Sequence, residues 1–139
     1  MIVPLISDFY RLIFAILLTV GATSMTPSEI EAQGNCDGYV PMAELFGLPG
    51  RDASRVMFRE SRCDPTAVNP RDVNGGSYGL MQINAIHIKD VEKRPWLWEG
   101  VSECLVEDTD DLLVGWKNLC FGSYLYRKSG WAPWAWFDG

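Results

Sequence analysis

The sequence predicts a mostly helical α+β domain with a small β excursion in its middle and two disulfides. Three observations support that fold class. Apolar residues recur at helical spacing over 41–62 and again over 109–130. Turn-forming Asn, Asp, Gly and Pro residues crowd the stretch 66–79, where a small hairpin is expected. Four cysteines are present, an even number that favours a disulfide framework in a small exported domain.

Length, composition and charge favour one folded domain that does not bind nucleic acid. The chain has 139 residues, of which 47% are hydrophobic, and it contains six Trp, so a disordered chain is not expected. The formal net charge is −6. Because nucleic-acid-binding domains usually present clustered Lys and Arg, we expect no nucleic acid partner.

The N-terminus has the pattern of a secretory signal peptide. Arg11 precedes an apolar run from Leu12 to Ala22, which is shorter than the ~20 residues that span a bilayer. We predict a signal peptide over 1–24 with cleavage after Ser24, and a linker over 25–39. A second possible cleavage site follows Ala32, and an uncleaved anchor or a misassigned start codon are the alternatives. The prediction is a secreted or periplasmic protein with no stable membrane insertion after cleavage.

The cysteines favour disulfides over a metal site. Three pairings are possible, and we favour Cys36–Cys63 and Cys104–Cys120 because these close the shorter loops. Zinc is not expected, since no C-x-x-C spacing occurs and His87 is the only histidine. His87 itself is predicted to be a surface or capping residue. We expect neither a metal nor an organic cofactor.

Two short helices are predicted in the first half, and the second carries an acid on its apolar face. The first covers 41–48, with Pro41 at its start. The second runs to about Arg62, with Asp52 as its N-cap. Its apolar stripe leads at helical spacing to Glu60 and consists of Ala53, Val56 and Met57.

Glu60 has two interpretations. A Glu at the edge of an apolar stripe commonly reaches solvent or pairs with a nearby cation such as Arg59 or Arg62. Alternatively it is a general acid, because desolvation disfavours the charged form of a carboxyl and lets it hold a proton near neutral pH. Cleavage of a glycosidic bond requires such a proton donor for the leaving oxygen.

The remaining segments are predicted from turn residues and periodicity. Residues 77–84 form either the returning strand of the hairpin or the entry to another helix. A last helix begins at Thr109 as its cap and ends at Gly130. The aromatic residues of the following tail, Trp131 and Trp134, are expected in the core rather than in a cleft. Three further side chains are expected to point inward: Trp96, Trp98 and Leu105.

Several motifs, in order, resemble one superfamily. Glu60-Ser61 is followed by the run Gly79-Leu80-Met81-Gln82-Ile83-Asn84, which together resemble the signature of the lysozyme superfamily. The closest branch is the soluble lytic transglycosylase type, related to goose-type and phage lysozymes. Asp64-Pro65-Thr66-Ala67-Val68-Asn69-Pro70, Gly76-Ser77-Tyr78-Gly79 and Gly130-Trp131-Ala132-Pro133-Trp134 add to the resemblance, which covers about residues 40–136.

The resemblance implies a lysozyme-like catalytic domain over 40–139 that acts on peptidoglycan as a monomer. It would cut the β-1,4 bond between N-acetylmuramic acid and N-acetylglucosamine. Glu60 would act first as catalytic acid and then as base, and Ser61 would orient the leaving or acetamido group. Gln82 and Asn84 would line the glycan cleft, and Tyr78 would pack on or hydrogen-bond a sugar. The alternatives are a structural amide at Gln82 that ties the loop to the helix, and core packing of Tyr78.

The course of the reaction after the first step stays open at the level of sequence. The Ala-Tyr-Asn motif of lytic transglycosylases is absent where the last helix ends, and no second carboxylate is obvious. Asp64 is better explained as a turn residue, and Asp72 could hold a water molecule in the β excursion. Because a transglycosylase needs no second acid, that course is preferred, with a hydrolytic lysozyme or phage endolysin as the alternative. Two non-enzymatic alternatives are a glycan-binding or virion protein on the same scaffold, and an unrelated disulfide-rich module with little helix.

Overall fold

The computed structural model describes residues 26, 28, 34–135 and 137. The predicted signal peptide over 1–24 lies outside the described residues. So does most of the predicted linker before residue 34. Within the part of the chain that the structure describes, no helix is both long enough and apolar enough to cross a membrane.

The described domain combines short helices, one long helix and a very small sheet. The long helix and the helix that precedes the sheet each contribute more buried residues than any other element. In chain order the elements are α1 (Val40–Leu45), α2 (Gly50–Ser61), β1 (Val68–Asn69), β2 (Ser77–Tyr78), β3 (Ile83–Asn84), α3 (Ile86–Lys89), α4 (Leu97–Glu103) and α5 (Gly115–Ser129). The predicted α+β class, mostly helical with a small β excursion, is confirmed.

The start of α2 differs from the prediction. The helix begins at Gly50, earlier than expected, and Asp52 lies in its first turn rather than at the N-cap. Pro49 takes the N-cap position in an extended conformation (φ −61°, ψ 109°). Gly50 fits there because a Cβ at that position would overlap the Glu44 side chain of α1. Close packing between α1 and α2 therefore sets the helix start, and a capping preference at Asp52 does not.

The three strands form one antiparallel sheet in the order β1–β2–β3. Val68 pairs with Tyr78 across the first ladder, and Ser77 pairs with Asn84 across the second. The segment 77–84 thus contains two strands with a tight turn between them. Of the two predicted alternatives for this segment, the strand is correct.

The last helix is broken where a single helix was predicted. A 3₁₀ turn over Thr109–Leu113 is capped by Asp108, whose carboxylate accepts from the Asp110 and Asp111 amides. Val114 is then extended (φ −89°, ψ 113°), and α5 starts at Gly115. The predicted cap at Thr109 is therefore wrong by one residue. Gly130 ends α5 with φ 60° as predicted, since its N–H donates to Tyr126 O.

The core lies between α2, α5 and the turns of the sheet segment. Its fully buried side chains include Met57, Leu80, Met81, Leu119 and Phe121. The inward orientation predicted for three side chains is wrong, since Trp96, Trp98 and Leu105 are 42%, 53% and 52% exposed. Their immediate neighbours point inward instead, namely Leu97, Cys104 and Val106.

Both predicted disulfides are confirmed. Cys36–Cys63 links the segment before α1 to the residue that follows the C-cap of α2. Cys104–Cys120 links the end of α4 to the middle of α5. Each bond therefore fastens a peripheral segment onto one of the two helices that form the core.

Candidate active site

A pocket of about 330 Å³ opens where α2, the sheet segment, α5 and the C-terminal turn meet. We call its helix-borne side the helical wall, formed by Glu60 on α2 and Leu125 on α5. We call its other side the hairpin wall, formed by the pocket-lining residues within 72–84. The full lining is Glu60, Asp72, Val73, Asn74, Ser77, Gln82, Ile83, Asn84, His87, Leu125, Pro133 and Trp134.

Apolar packing places Glu60 at the pocket. The stripe of Ala53, Val56 and Met57 is fully buried, at 0% exposure each. Because Glu60 continues that stripe near the end of α2, its side chain is carried to the boundary between core and pocket, where it is half-buried. The helix ends one residue later, and Arg62 at the C-cap adopts φ 53°.

Ser61 connects the end of α2 to the hairpin segment. Its side chain is buried, and its hydroxyl lies 2.8 Å from Leu80 O and 3.1 Å from Met57 O, to which it donates. Ser61 is not among the residues that line the pocket. Its hydroxyl therefore ties the end of α2 to the hairpin segment, immediately beside Glu60.

The hairpin segment is anchored to α5 by one buried amide, Asn118. Its Nδ2 donates to Tyr78 O (2.8 Å) and Leu112 O (2.9 Å), and its Oδ1 accepts from the Met81 N–H (2.9 Å). Gly79 (φ 76°) lies directly against this amide, and a Cβ there would overlap Asn118 Nδ2 and Leu112 O. The glycine of the Gly-Leu-Met-Gln run is thus required by this close approach.

Gln82 faces the pocket with its amide orientation fixed. Its Nε2 donates to Ala67 O at 3.1 Å and to Gly79 O at 3.0 Å. Both Nε2 hydrogens are used, so the side chain can offer a ligand only its oxygen, which accepts hydrogen bonds. The backbone at Gln82 has φ 49°, in the left-handed region that side chains rarely adopt, as often happens at functional sites.

Asn84 lines the pocket and also organises the loop before it. Its Nδ2 donates to Val73 O (2.8 Å) and to Ser77 Oγ (3.4 Å), while its Oδ1 accepts from the Ile86 N–H (3.0 Å). These contacts hold the rim of the hairpin wall and start α3. Asn84 is thereby both a lining residue and a structural one.

Asp72 brings a second carboxylate to the pocket. Its Oδ1 accepts from the Val73 N–H at 2.9 Å, and its Oδ2 accepts from Ser77 Oγ. The Ser77 hydrogen bond, with smaller contributions from Val73 and Asn84, lowers the pKa of Asp72 below its ordinary value, although partial burial opposes it. Asp72 is therefore ionised at neutral pH.

The sequence itself assigns this arrangement to a known family. A sequence model described as the transglycosylase SLT domain matches residues 44–128, which is more than half of the chain. The chain belongs to the transglycosylase SLT domain family. Members of this family are peptidoglycan-cleaving enzymes that act outside the cytoplasm, so this chain is an enzyme that cleaves peptidoglycan glycan strands. No curated protein sequence and no solved structure shows a significant match to the chain.

In this SLT domain the C-terminal turn is part of both core and pocket. Trp134 is 4% exposed, as predicted for a core residue, and its indole N–H donates to Met81 O at 2.7 Å. Trp131 is half-buried and packs edge-on against Trp134 with ring centroids 5.6 Å apart. Pro133 and Trp134 also line the pocket. Trp134 therefore packs in the core, as predicted, and also forms part of the pocket lining.

The structure corrects the expectation for His87 and describes the surroundings of Tyr78, whose contact with a sugar stays a prediction. Tyr78 does not line the pocket, and its hydroxyl donates to Gly75 O at 2.8 Å. His87 was expected at the surface, but it is half-buried in α3 and lines the pocket. Burial, together with the nearby charge of Arg94, lowers the pKa of His87, so it is neutral at physiological pH. The only signal for His87 in the sequence is its position three residues after Asn84, the end of the Gln-Ile-Asn run.

The residues that sequence reasoning missed are those with structural hydrogen bonds. Asn118 lies in the middle of a helix far along the chain, and no local pattern ties it to residues 78–81. Ser77 is 3% exposed and its role depends on Asp72 and Asn84, which become its neighbours only in the sheet. Among the described residues, no group of three or more His, Cys, Asp or Glu side chains is placed to hold a metal ion.

Proposed function

We propose that this SLT domain cleaves the β-1,4 bond between N-acetylmuramic acid and N-acetylglucosamine, with Glu60 as the general acid. One observation carries the proposal: Glu60 lines the same pocket as Gln82 and Asn84, on the opposite wall. The pocket volume of about 330 Å³ lies at the lower end of the ~300–1,000 Å³ range of small-molecule sites. A sugar ring between the two walls would have its scissile oxygen within reach of a carboxyl.

The proposed first step is proton transfer from Glu60 to the oxygen that links the two sugars. The bond from the muramic acid C1 to that oxygen breaks, and positive charge develops at C1. In the transglycosylase course, the ionised Glu60 then takes the proton of the sugar's own 6-hydroxyl, whose oxygen bonds to C1. The products are a shortened strand and an anhydro-muramic end, and no water is consumed.

The other predicted site residues have different roles in the proposal. Gln82 accepts a hydrogen bond from a sugar hydroxyl or acetamido N–H through its oxygen, the group that its amide orientation makes available. Asn84 contributes to the rim of the cleft. Direct contact of Ser61 or Tyr78 with the sugar stays a prediction, and both hydroxyl groups hydrogen-bond within the protein.

The test compares wild type, Glu60→Gln and the exposed-site control Glu92→Gln on purified peptidoglycan. We expect clearing by Glu60→Gln to be slower by about 10²–10⁴-fold, the usual contribution of a general acid, with Glu92→Gln unchanged. Equal clearing by wild type and Glu60→Gln would defeat the proposal. Failure of the wild type to clear, with binding to the wall retained, would instead support a non-catalytic glycan-binding or virion protein.

Mass analysis of the released fragments tests the course of the reaction. Ends lighter by one water than a reducing sugar support the transglycosylase course. Reducing ends alone would replace it with the hydrolytic alternative, that of a lysozyme or phage endolysin, while leaving the role of Glu60 intact.

A further inference from the structure

We propose that Asp72 is a second catalytic carboxylate of this pocket, held by Ser77 so that it directs a water molecule to the sugar carbon that loses its leaving group. This inference rests on the proposed cleavage at Glu60 and adds a hydrolytic branch to it. It starts from a shared location: Asp72 and Glu60 line the same pocket from different walls.

Both carboxylate oxygens of Asp72 are held in place. The Val73 N–H donates to Oδ1 at the start of the 3₁₀ turn Val73–Gly75. Capping alone would leave Oδ2 unconstrained, yet Oδ2 accepts from the hydroxyl of Ser77 in β2. The Ser77 hydroxyl in turn accepts from Asn84 Nδ2 at 3.4 Å, across the β2–β3 ladder.

Asp64 shows what a purely structural Asp looks like in the same chain. Asp64 comes shortly after α2 and starts a turn, and its Oδ1 accepts from the Thr66 N–H and hydroxyl, both at 2.8 Å. Asp64 does not line the pocket. Local turn contacts therefore account for Asp64, whereas Asp72 has an additional hydrogen bond to a buried strand residue and lines the same pocket as Glu60.

An oriented, ionised carboxylate in this position suits the charge that the reaction creates. Fixed groups of opposite charge aimed at a developing charge stabilise the transition state, because they need no reorganisation when the charge forms. The hydrogen bond from Ser77 lowers the pKa of Asp72, so the group is an anion at neutral pH. Water attacking a carbon that carries positive charge becomes acidic, and a nearby carboxylate then accepts its proton.

The proposed branch balances as a hydrolysis. Glu60 gives its proton to the linking oxygen, the bond from that oxygen to C1 breaks, and the oxygen of water bonds to C1. The proton lost by the water goes to Asp72 and from there to solvent, while Glu60 regains a proton from solvent. One water is consumed for each strand cut, and the new end is a reducing sugar.

The experiment counts reducing and anhydro ends released by wild type, Asp72→Asn and the control Asp64→Asn. We expect wild type to release reducing ends, Asp72→Asn to release about 10²-fold fewer of them, and its anhydro ends to persist. Asp64→Asn should match wild type in both products. Wild type releasing only anhydro ends, or Asp72→Asn keeping its output of reducing ends, would overturn the assignment.

Glu60→Gln separates this inference from the proposed function. Loss of both kinds of end in Glu60→Gln, with reducing ends unchanged in Asp72→Asn, would refute Asp72 alone. Unchanged output from Glu60→Gln would refute the proposed function and the inference together.

Ser77→Ala keeps the test valid if Asp72→Asn fails to fold. This variant retains the carboxylate but removes the hydrogen bond that lowers the pKa of Asp72, so that pKa rises. The acid side of the pH profile for reducing-end formation should then move to higher pH. A merely structural Ser77 would reduce the rate without moving the profile, and an unmoved profile would count against Asp72.

Discussion

The helical wall and the hairpin wall of the pocket are held in place by different interactions. On the helical wall, Glu60 is positioned by the burial of Ala53, Val56 and Met57, which are fully removed from solvent. On the hairpin wall, Ser77 to Asn84 form strands of only two residues each, too short for a stable sheet by themselves. Hydrogen bonds from Asn118 supply the missing constraint.

Substitutions that remove apolar contacts and substitutions that remove polar contacts should therefore affect this site differently. Loss of apolar contacts beneath α2 would lower the free energy of unfolding. The molecules that remain folded would keep an unchanged hairpin wall. Lost polar contacts under the hairpin wall would shift sugar-binding groups relative to Glu60 within molecules that remain folded. The predictions below test that distinction.

The largest effect is expected for Asn118→Ala. Three backbone groups would lose their partner in the core, at ~1–3 kcal/mol for an unsatisfied buried group, so we expect unfolding to become easier by about 3 kcal/mol or more. The rate constant kcat/KM of the folded fraction should fall by about 10²-fold, because the hairpin wall shifts. Urea denaturation and wall-clearing kinetics at low temperature measure the two quantities.

Met57→Ala is the matched control for Asn118→Ala. It removes apolar contacts from the helical wall and should cost ~2–5 kcal/mol of stability, with a much smaller change in kcat/KM of the folded fraction. Equal losses of kcat/KM in the two variants would show that the walls do not differ in the way proposed.

A smaller effect is expected for Ser61→Ala, which removes one hydrogen bond between the end of α2 and the hairpin segment. Loss of the hydrogen bond to Leu80 O should cost about 1 kcal/mol and leave KM nearly unchanged. The control is Ser123→Ala, whose buried hydroxyl donates to Cys120 O within α5 alone. A large rise in KM for Ser61→Ala only would favour direct contact between Ser61 and the sugar.

The smallest effect concerns His87 and pH. Burial and Arg94 lower the pKa of His87 below its ordinary value of 6.5, so the unfolded chain binds a proton more readily than the folded one. Stability should be unaffected by His87 above that pH and should fall as the pH drops below 6.5, until the folded form is protonated as well. His87→Gln should flatten this part of the curve in denaturation experiments across pH; an identical slope would contradict it.

What the sequence predicts well is what depends on periodic burial. The stripe leading to Glu60 and the disulfide pairing follow from spacing along the chain, and both agree with the structure. The wrong predictions for Trp96, Trp98 and Leu105 have a common origin. No helical or strand periodicity is evident in this segment, and size and hydrophobicity alone do not determine which side chains are buried. Trp96 instead stacks on Tyr124 at 6.3 Å between ring centroids and stays 42% exposed.

The hairpin wall is harder to predict because its contacts are polar and distant in sequence. Family resemblance pointed to the Gly-Leu-Met-Gln run, but Asn118 lies 37 residues beyond Met81, the residue whose amide it binds. Asp72 was one of two possible second acids in the sequence. Only the pairing of β2 with β3, which brings Ser77 beside Asn84, shows why Asp72 differs from Asp64.

The Cys36–Cys63 bond makes the end of the Glu60 helix sensitive to the redox state of its surroundings. Arg62 and Cys63 both have positive φ, at 53° and 64°, and the bond holds this unfavourable double turn directly after Glu60 and Ser61. Thiols stay reduced in most cytoplasms and become oxidised outside them. Reducing conditions would therefore remove the covalent tie that holds the backbone directly after Glu60 and Ser61.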